Sequence, residues 1–162
     1  MTDINFTQIE SNGINMRLAQ AGEGPLVLLI HGWPESWYSW RHQLIALADA
    51  GYHAVAPDMR GYGGTSAPAE PEAYRIDHLA KDVVGIIDHF NQATATIIGH
   101  DWGSMVVWYT ALLHPDRING VMGMSVPYGG RAKQAPLESF KAAFGDNFFY
   151  ILYHNERDGN NL

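Results

Sequence analysis

The stretch TATIIGHDWGSM, residues 94–105, places an aspartate where a reactive turn would hold its nucleophile. A short apolar run precedes Asp101, and Gly99 and Gly103 stand two residues to either side of it. The pattern Gly-x-Ser-x-Gly is typical of a nucleophile elbow, a sharp strand-to-helix turn with serine at its tip. A simple helix N-cap would also use Asp but needs no such glycines, so the pattern favours a tight elbow with Asp101 at its tip.

A carboxylate at the tip predicts a different substrate class from that of a serine. Aspartate has a reference pKa of about 3.9, so it is ionised at pH 7 without the help of a base. Serine attacking a saturated carbon would form an ether, which water does not readily cleave. Aspartate would form an ester, and hydrolysis of that ester restores the carboxylate. We therefore expect an alkyl electrophile, with epoxides and alkyl halides as the candidates.

Hydrolysis of such an ester requires hydrogen-bond donors for the negative charge that develops on an Asp101 oxygen. One expected donor is the backbone N–H of Trp102, the residue after the nucleophile. The other is the N–H of Trp33 in HGWP, residues 31–34, which directly follows the apolar run LVLLI. Pro34 would restrict the conformation of this loop. A cis peptide bond between Trp33 and Pro34 is one way in which it would do so. In isolation HGWP is an ordinary turn, and the elbow later in the chain gives it this role.

Composition and charge exclude several other functions. The chain of 162 residues is 46% hydrophobic and 17% charged, and it contains no cysteine. Disulfides, thiolate catalysis and cysteine-rich zinc sites are therefore excluded. Its formal charge of −7 disfavours binding to nucleic acid or to anionic membranes. We expect a cytoplasmic protein with no cofactor and no metal.

Strands and helices are predicted to alternate after an initial hairpin around Asn12-Gly13. Such alternation is typical of an α/β fold with an open, mostly parallel sheet and helices on both faces. His31, Asp58 and Asp101 each lie at the end of a predicted strand, which would gather them at one rim of the sheet. The helix after Asp101 is apolar on nearly all sides, so we expect it to be buried. The predicted strands cover 25–32, 52–58, 95–99 and 120–127, and the predicted helices 36–51, 74–91 and 103–115.

The motifs HGWPESWYSW, DMRGYGGTSAP and GHDWGSMVVWY together resemble the epoxide hydrolases of the α/β-hydrolase superfamily. The resemblance runs from about residue 5 to residue 153. It implies an α/β-hydrolase fold, Asp101 as nucleophile, an oxyanion hole from Trp33 and Trp102, and a helical lid after the sixth strand. It also implies lid tyrosines that hold the epoxide oxygen, the first of which aligns with Tyr150. A phenol can protonate the alkoxide that ring opening creates.

The same resemblance defines the expected domains and partners. Residues 1–127 are predicted to be the N-terminal part of the hydrolase core, and residues 128–162 the start of the lid domain. The expected substrate is a small hydrophobic epoxide, contacted by Tyr150, Pro34 and Trp37. The sequence does not determine the oligomeric state, and a homodimer is one candidate.

The catalytic acid, the histidine and the second lid tyrosine of the family would all lie after residue 162. None of the eight histidines present is a convincing substitute. We therefore expect the C-terminal half of the same protein as a missing partner. Our hypothesis is that these 162 residues alone are alkylated once and do not turn over.

Two other functions stay open at this stage. A haloalkane dehalogenase would share the aspartate nucleophile and Trp102, but halide departure needs no proton from a lid phenol. A hydrolase-fold protein that binds a small hydrophobic ligand without catalysis would also fit an incomplete triad. Tyr150 and Trp33 favour the epoxide, and the substrate itself cannot be inferred from the sequence.

Overall fold

A computed structural model of the chain describes residues 3–130, 135–145 and 147–153. The chain divides into two compact units, Met1–Tyr128 and Gly129–Leu162. This division lies one residue after the boundary that we predict between core and lid. None of the helices in the described ranges combines the length and apolar content needed to cross a bilayer.

The first unit begins with the predicted hairpin. Strand β1 (Asn5–Ser11) pairs antiparallel with β2 (Ile14–Ala21), and Ser11 lies opposite Ile14. The two turn residues both have positive φ, 48° at Asn12 and 77° at Gly13. Asn and Gly adopt these angles most readily, which is why this pair closes a two-residue hairpin turn.

Four further strands complete the sheet: β3 (Leu26–Ile30), β4 (His53–Pro57), β5 (Ala95–His100) and β6 (Ile118–Met124). The six strands lie in the order β1-β2-β4-β3-β5-β6. Strand β2 pairs antiparallel with β4, and all remaining neighbours are parallel. The chain leaves β3 for β4 on one side and later returns to β5 on the other. Parallel sheets bind ligands where such a reversal opens a crevice at the carboxyl ends of the strands.

Helices cover both faces of this sheet, as the alternation predicts. The helices of the first unit are α1 (Arg41–Asp49), α2 (Ile76–His89) and α3 (Trp102–Leu113). Short 3-10 turns lie at Trp37–Trp40, Pro71–Tyr74 and Pro115–Arg117. One core cluster joins strand residues to α2 and α3, through side chains such as Ile86 and Val107. A second cluster packs Leu44 of α1 and Trp40 against the opposite face. The predicted α/β fold, with a mostly parallel sheet and helices on both faces, is therefore confirmed.

The prediction that α3 is buried holds for only part of the helix. Val106 and Val107 are buried, but Leu112 is 54% and Leu113 50% exposed. Strand β6 lies at the edge of the sheet, and Met122 on it is also 54% exposed. An apolar composition predicts burial only where another element covers the surface, and in the described part of the chain these side chains remain accessible.

The second unit contains helix α4 (Pro136–Phe144) and a helical turn at 150–153. Its aromatic rings pack on one another, with Phe144 and Phe149 stacked at 4.0 Å between centroids. Phe149 also contacts the ring of Tyr150 at 5.3 Å. These contacts form a small aromatic cluster within the unit.

Candidate active site

Asp101 lies at the tip of a sharp turn between β5 and α3. Its φ of 53° and ψ of −123° are unusual for any residue other than glycine. The Asp101 N–H donates to the Met124 carbonyl at 3.2 Å, and the Asp101 carbonyl accepts from the Ser104 N–H at 2.9 Å. Strained backbone of this kind concentrates at functional sites, where the surrounding structure holds a side chain in a fixed direction.

The two glycines of the elbow are required by close approach of the backbone. A Cβ on Gly99 would collide with the carbonyl of Gly103, and one on Gly103 would collide with the carbonyl of Ile30. The start of α3 thus packs directly against the ends of β5 and β3. This contact explains the Gly-x-Asp-x-Gly spacing in physical terms.

The loop after β3 places a donor against the Asp101 carboxylate. The backbone N–H of Trp33 donates to Asp101 Oδ1 at 2.9 Å. A Cβ on Gly32 would lie 2.6 Å from that same oxygen, so the loop can approach only because this residue is glycine. The peptide bond between Trp33 and Pro34 is cis. Trp102 is the first residue of α3, where N–H groups lack intrahelical acceptors and the helix dipole favours negative charge.

His31 is a fixed structural link between two loops of this rim. The Met59 N–H donates to His31 Nε2 at 2.9 Å, so Nδ1 carries the proton and donates to the Gly32 carbonyl at 2.8 Å. Burial lowers the pKa of His31 below its ordinary value of 6.5, against smaller opposing effects of the Gly32 bond, Asp58 and Glu35. A neutral imidazole with both nitrogens engaged positions backbone and is unsuited to act as a base.

Glu35 and His100 form a second link, across the elbow. Glu35 Oε2 accepts from the Gly32 N–H at 3.3 Å, and Oε1 lies 2.9 Å from His100 Nδ1. The carboxylate therefore joins the residue before Trp33 to the residue before Asp101. Glu35 is not among the site residues predicted from the sequence, because nothing in its spacing distinguishes it from a surface glutamate.

Asp58 lies at the same rim, as its position after β4 predicts, and it is only 1% exposed. Its two carboxylate oxygens accept from the backbone N–H groups of Trp37 and Gly64, at 3.1 and 2.9 Å. Arg17 lies 3.8 Å away and supplies a compensating charge. Asp58 thus ties the loop carrying Trp33 to the loop after β4.

A buried ion pair, which was not predicted from the sequence, also holds the loop after β4. The guanidinium of Arg60 donates to both carboxylate oxygens of Asp82 on α2, at 2.8 and 2.7 Å. Asn12 Nδ2 also donates to Asp82 Oδ1 at 2.6 Å. The hydrogen bond to Asp82 raises the pKa of Arg60. The pair connects the rim loop, the helix and the hairpin turn at one point.

The other side chains predicted to belong to the site differ in their exposure and in their surroundings. Trp33 is 42% and Trp102 46% exposed, so both indoles extend from the elbow region into accessible space. Pro34 is exposed beside them, whereas the Trp37 ring packs edge-on against Phe6 at 4.9 Å. Tyr150 lies in the second unit. The roles assigned to these residues stay predictions.

The fold and the elbow at Asp101 indicate a hydrolase of the α/β class, and comparison with known protein families gives the same class. Residues 25–151 match the family model of the alpha/beta hydrolase fold, and the chain belongs to that family. Sequence comparison with characterised proteins confirms the predicted resemblance to epoxide hydrolases. Epoxide hydrolase A of Mycobacterium tuberculosis is 52% identical over 150 residues, which are 91% of this chain and 47% of that protein.

Other similar proteins bear the same activity in their names. Epoxide hydrolase 3 of Siraitia grosvenorii is 47% identical over 154 residues, which cover 94% of this chain and 49% of that protein. The crystal structure of epoxide hydrolase A from Mycobacterium thermoresistibile superposes with a TM-score of 0.91 at 51% identity, covering 98% of this chain and 53% of that one. The chain thus spans about half the length of the relatives that it matches.

Proposed function

We propose that this chain carries the nucleophilic half of an epoxide-hydrolysing site, with Asp101 as the attacking group. Asp101 Oδ1 is occupied by the Trp33 N–H, which leaves Oδ2 as the oxygen that bonds to an epoxide carbon. As that bond forms, the carbon–oxygen bond of the ring breaks and its electron pair remains on the departing oxygen. The product is an ester of Asp101 and an alkoxide.

The alkoxide must take up a proton, and Tyr150 is the proposed donor. This assignment rests on the family resemblance of the sequence around Tyr150 and on phenol chemistry. A phenol is far more acidic than an alcohol, so it can supply the proton that the alkoxide takes up. Pro34 and Trp37 are proposed to contact the substrate, on the same resemblance alone.

Release of the product requires water to attack the ester carbonyl carbon of Asp101. The resulting tetrahedral intermediate carries negative charge on Oδ1, where the Trp33 N–H already lies at 2.9 Å. Trp102 N–H is the proposed second donor. Collapse of the intermediate breaks the bond to the alkyl oxygen, which leaves as the second hydroxyl of a vicinal diol and frees the carboxylate.

Water in the second step must be activated by a base. His31 and His100 flank the elbow, but both are engaged by other groups, the first by Met59 and Gly32 and the second by Glu35. We therefore propose that these 162 residues form one ester equivalent without sustained turnover. We further propose that residues 128–162 belong to a lid and that the protein is cytoplasmic, both on the sequence alone.

One observation carries the proposal: a carboxylate at the tip of a strained elbow, with one oxygen held by a backbone N–H. The test is mass spectrometry of the intact chain and of its proteolytic peptides after incubation with styrene oxide. We expect a single adduct on the peptide that contains Asp101. Asp101→Asn should give none, whereas Asp116→Asn, an exposed aspartate on the same unit, should react like the parent chain.

The same experiment distinguishes the other candidates. An Asp101 adduct from 1-chlorohexane, with release of chloride and none from styrene oxide, would identify a dehalogenase. Absence of any adduct with either reagent, with the chain folded, would refute a nucleophilic role for Asp101.

A further inference from the structure

Arg17 is a charged side chain at the rim of the sheet that none of the steps proposed for Asp101 uses. It belongs to β2, where the neighbouring Leu18 pairs with Pro57 of β4 in antiparallel register. This register brings Arg17 beside Asp58, whose N–H donates to the Arg17 carbonyl at 2.9 Å. Because side chains alternate along a strand and Leu18 is fully buried on one face, the Arg17 side chain leaves the sheet on the other.

Three neighbours hold the Arg17 side chain in place. Its Cζ lies 4.4 Å from the centroid of the Phe6 ring and 6.0 Å from that of the Trp37 ring, so both rings attract the cation. A Cβ on Gly64 would collide with Arg17 Cδ, which shows how closely the loop after β4 packs against the aliphatic part of the side chain. The guanidinium is therefore more restricted than that of an ordinary surface arginine.

The charge of Arg17 acts on the buried carboxylate of Asp58. Asp58 is only 1% exposed, and its Oδ2 lies 3.8 Å from Arg17 Nη1. A carboxylate removed from water stays ionised only where hydrogen bonds and an opposite charge replace its hydration. The N–H groups of Trp37 and Gly64 supply the hydrogen bonds, and Arg17 supplies the charge. Loss of that charge would weaken the hold of Asp58 on both backbone groups.

Asp58 in turn holds the segment that leads back to the nucleophile. Its Oδ1 accepts from the N–H of Trp37, the first residue of the 3-10 turn that follows the loop carrying Trp33. The Trp33 N–H donates to Asp101 Oδ1 at 2.9 Å. Pro34 stiffens the short segment between the two tryptophans, so a displacement of Trp37 is passed on to the Trp33 N–H.

We propose that Arg17 is a positioning residue for the reaction at Asp101. Its positive charge keeps Asp58 ionised, and ionised Asp58 holds the loop so that the Trp33 N–H points at Asp101 Oδ1. This inference rests on the proposed function of Asp101. Arg17 acts through Asp58 and not on the substrate, so its effect should disappear once Asp58 no longer carries a charge.

The position of the Trp33 N–H can be measured without any reaction. In a chain labelled with ¹⁵N-tryptophan, Arg17→Met should move the Trp33 amide proton upfield, because its hydrogen bond to the carboxylate lengthens. Arg17→Lys keeps the charge and should restore most of the parent shift. Arg41→Met is the matched control: Arg41 stacks on Tyr38 of the same 3-10 turn, at 4.3 Å, and its removal should leave Trp33 unmoved.

Two results would overturn the proposal at this stage. One is an unmoved Trp33 resonance in a folded Arg17→Met chain. The other is an equal displacement in Arg17→Lys and Arg17→Met, because the charge would then not be the cause.

The rate of ester formation at Asp101 with styrene oxide gives a second readout. Arg17→Met should slow this step by about tenfold, because a small misplacement of the reacting groups is costly. Asp58→Asn should slow it as well, and adding Arg17→Met to Asp58→Asn should have little further effect, because both substitutions break the same link. Fully additive effects of the two substitutions would refute action through Asp58.

A second variant covers the case in which Arg17→Met does not fold. Phe6→Leu removes the ring beneath the guanidinium on an exposed position of β1 and should move the Trp33 resonance in the same direction by a smaller amount. Tyr52→Leu, at an exposed aromatic residue elsewhere, should not move it, and equal responses to both would count against the proposal. Failure of the proposed function gives a different result: styrene oxide then leaves Asp101 unlabelled while the Trp33 resonance still responds to Arg17.

Discussion

Trp33 donates its backbone N–H to Asp101 Oδ1 at 2.9 Å, although 68 positions separate the two residues in the chain. Strands β3 and β5 bring them together, since the two are parallel neighbours and Ile30 pairs with Gly99 at their ends. The loop and the elbow therefore leave the sheet at the same rim. The order of the strands creates the candidate oxyanion site.

The strained angles of Asp101 predict an unusual response to glycine. Asp101→Gly should be more stable than Asp101→Ala by roughly 1–3 kcal/mol, because only glycine adopts positive φ without cost. Both variants lack the carboxylate, so the comparison isolates the backbone. Urea unfolding measures the difference. Ala111→Gly within α3 is the control and should lower stability, and the same sign at both sites would contradict the account.

The close contact at Gly103 predicts a large loss of stability on adding one methyl group. Gly103→Ala should lower the free energy of unfolding by about 1–3 kcal/mol or prevent folding, because its Cβ would meet the Ile30 carbonyl. Gly129 has open space around its Cβ position, so Gly129→Ala should be nearly neutral. Thermal melts of the two alanine variants give the comparison, and equal melting temperatures would disprove the steric argument.

Neutral, buried His31 predicts loss of stability in acid. Its pKa in the folded chain is below 6.5, so the unfolded chain binds more protons as the pH falls past that value. The contribution of His31 is complete above about pH 6.5 and declines below it. Urea unfolding at pH 8.0 and 5.5 should show a smaller acid loss in His31→Gln than in the parent chain. An equal loss in both would rule out this origin.

Removing one partner of the Arg60–Asp82 ion pair should lower stability more than replacing both partners. Asp82→Asn should destabilise the chain by about 3–5 kcal/mol, because it leaves a guanidinium that is 4% exposed without its counter-charge. Replacing both residues, by methionine and leucine, should recover much of this loss. Asp88→Asn, which breaks a more exposed pair with Arg117, should cost far less. A double-mutant cycle by chemical denaturation measures each term.

The local patterns of the sequence predicted much of this fold. Asn12-Gly13 identified the hairpin, and the glycines around Asp101 identified the elbow, because both depend on backbone conformations that few residues adopt. The continuous apolar run of β3 is typical of a strand covered on both faces, and all five of its residues are buried. These signals are strong because each has a local physical cause.

The supporting contacts could not be predicted in the same way. Arg60 and Asp82 are 22 positions apart and pair only because the loop after β4 packs on α2. Glu35 and His100 meet across 65 positions for a similar reason. The burial of α3 was overpredicted, since composition does not tell which neighbouring element covers a face. Such features depend on tertiary packing, of which a single sequence carries no direct trace.

Side-chain hydrogen bonds from His31, Glu35 and Asp58 to its backbone hold the loop that carries Trp33 in place. These bonds form during folding, so the entropy of ordering the loop is lost then and is not lost again as the reaction proceeds. The alignment of the N–H with the carboxylate thus depends on the local stability of three loops. Mild denaturant or moderate heat should therefore slow ester formation at Asp101 before global unfolding becomes detectable.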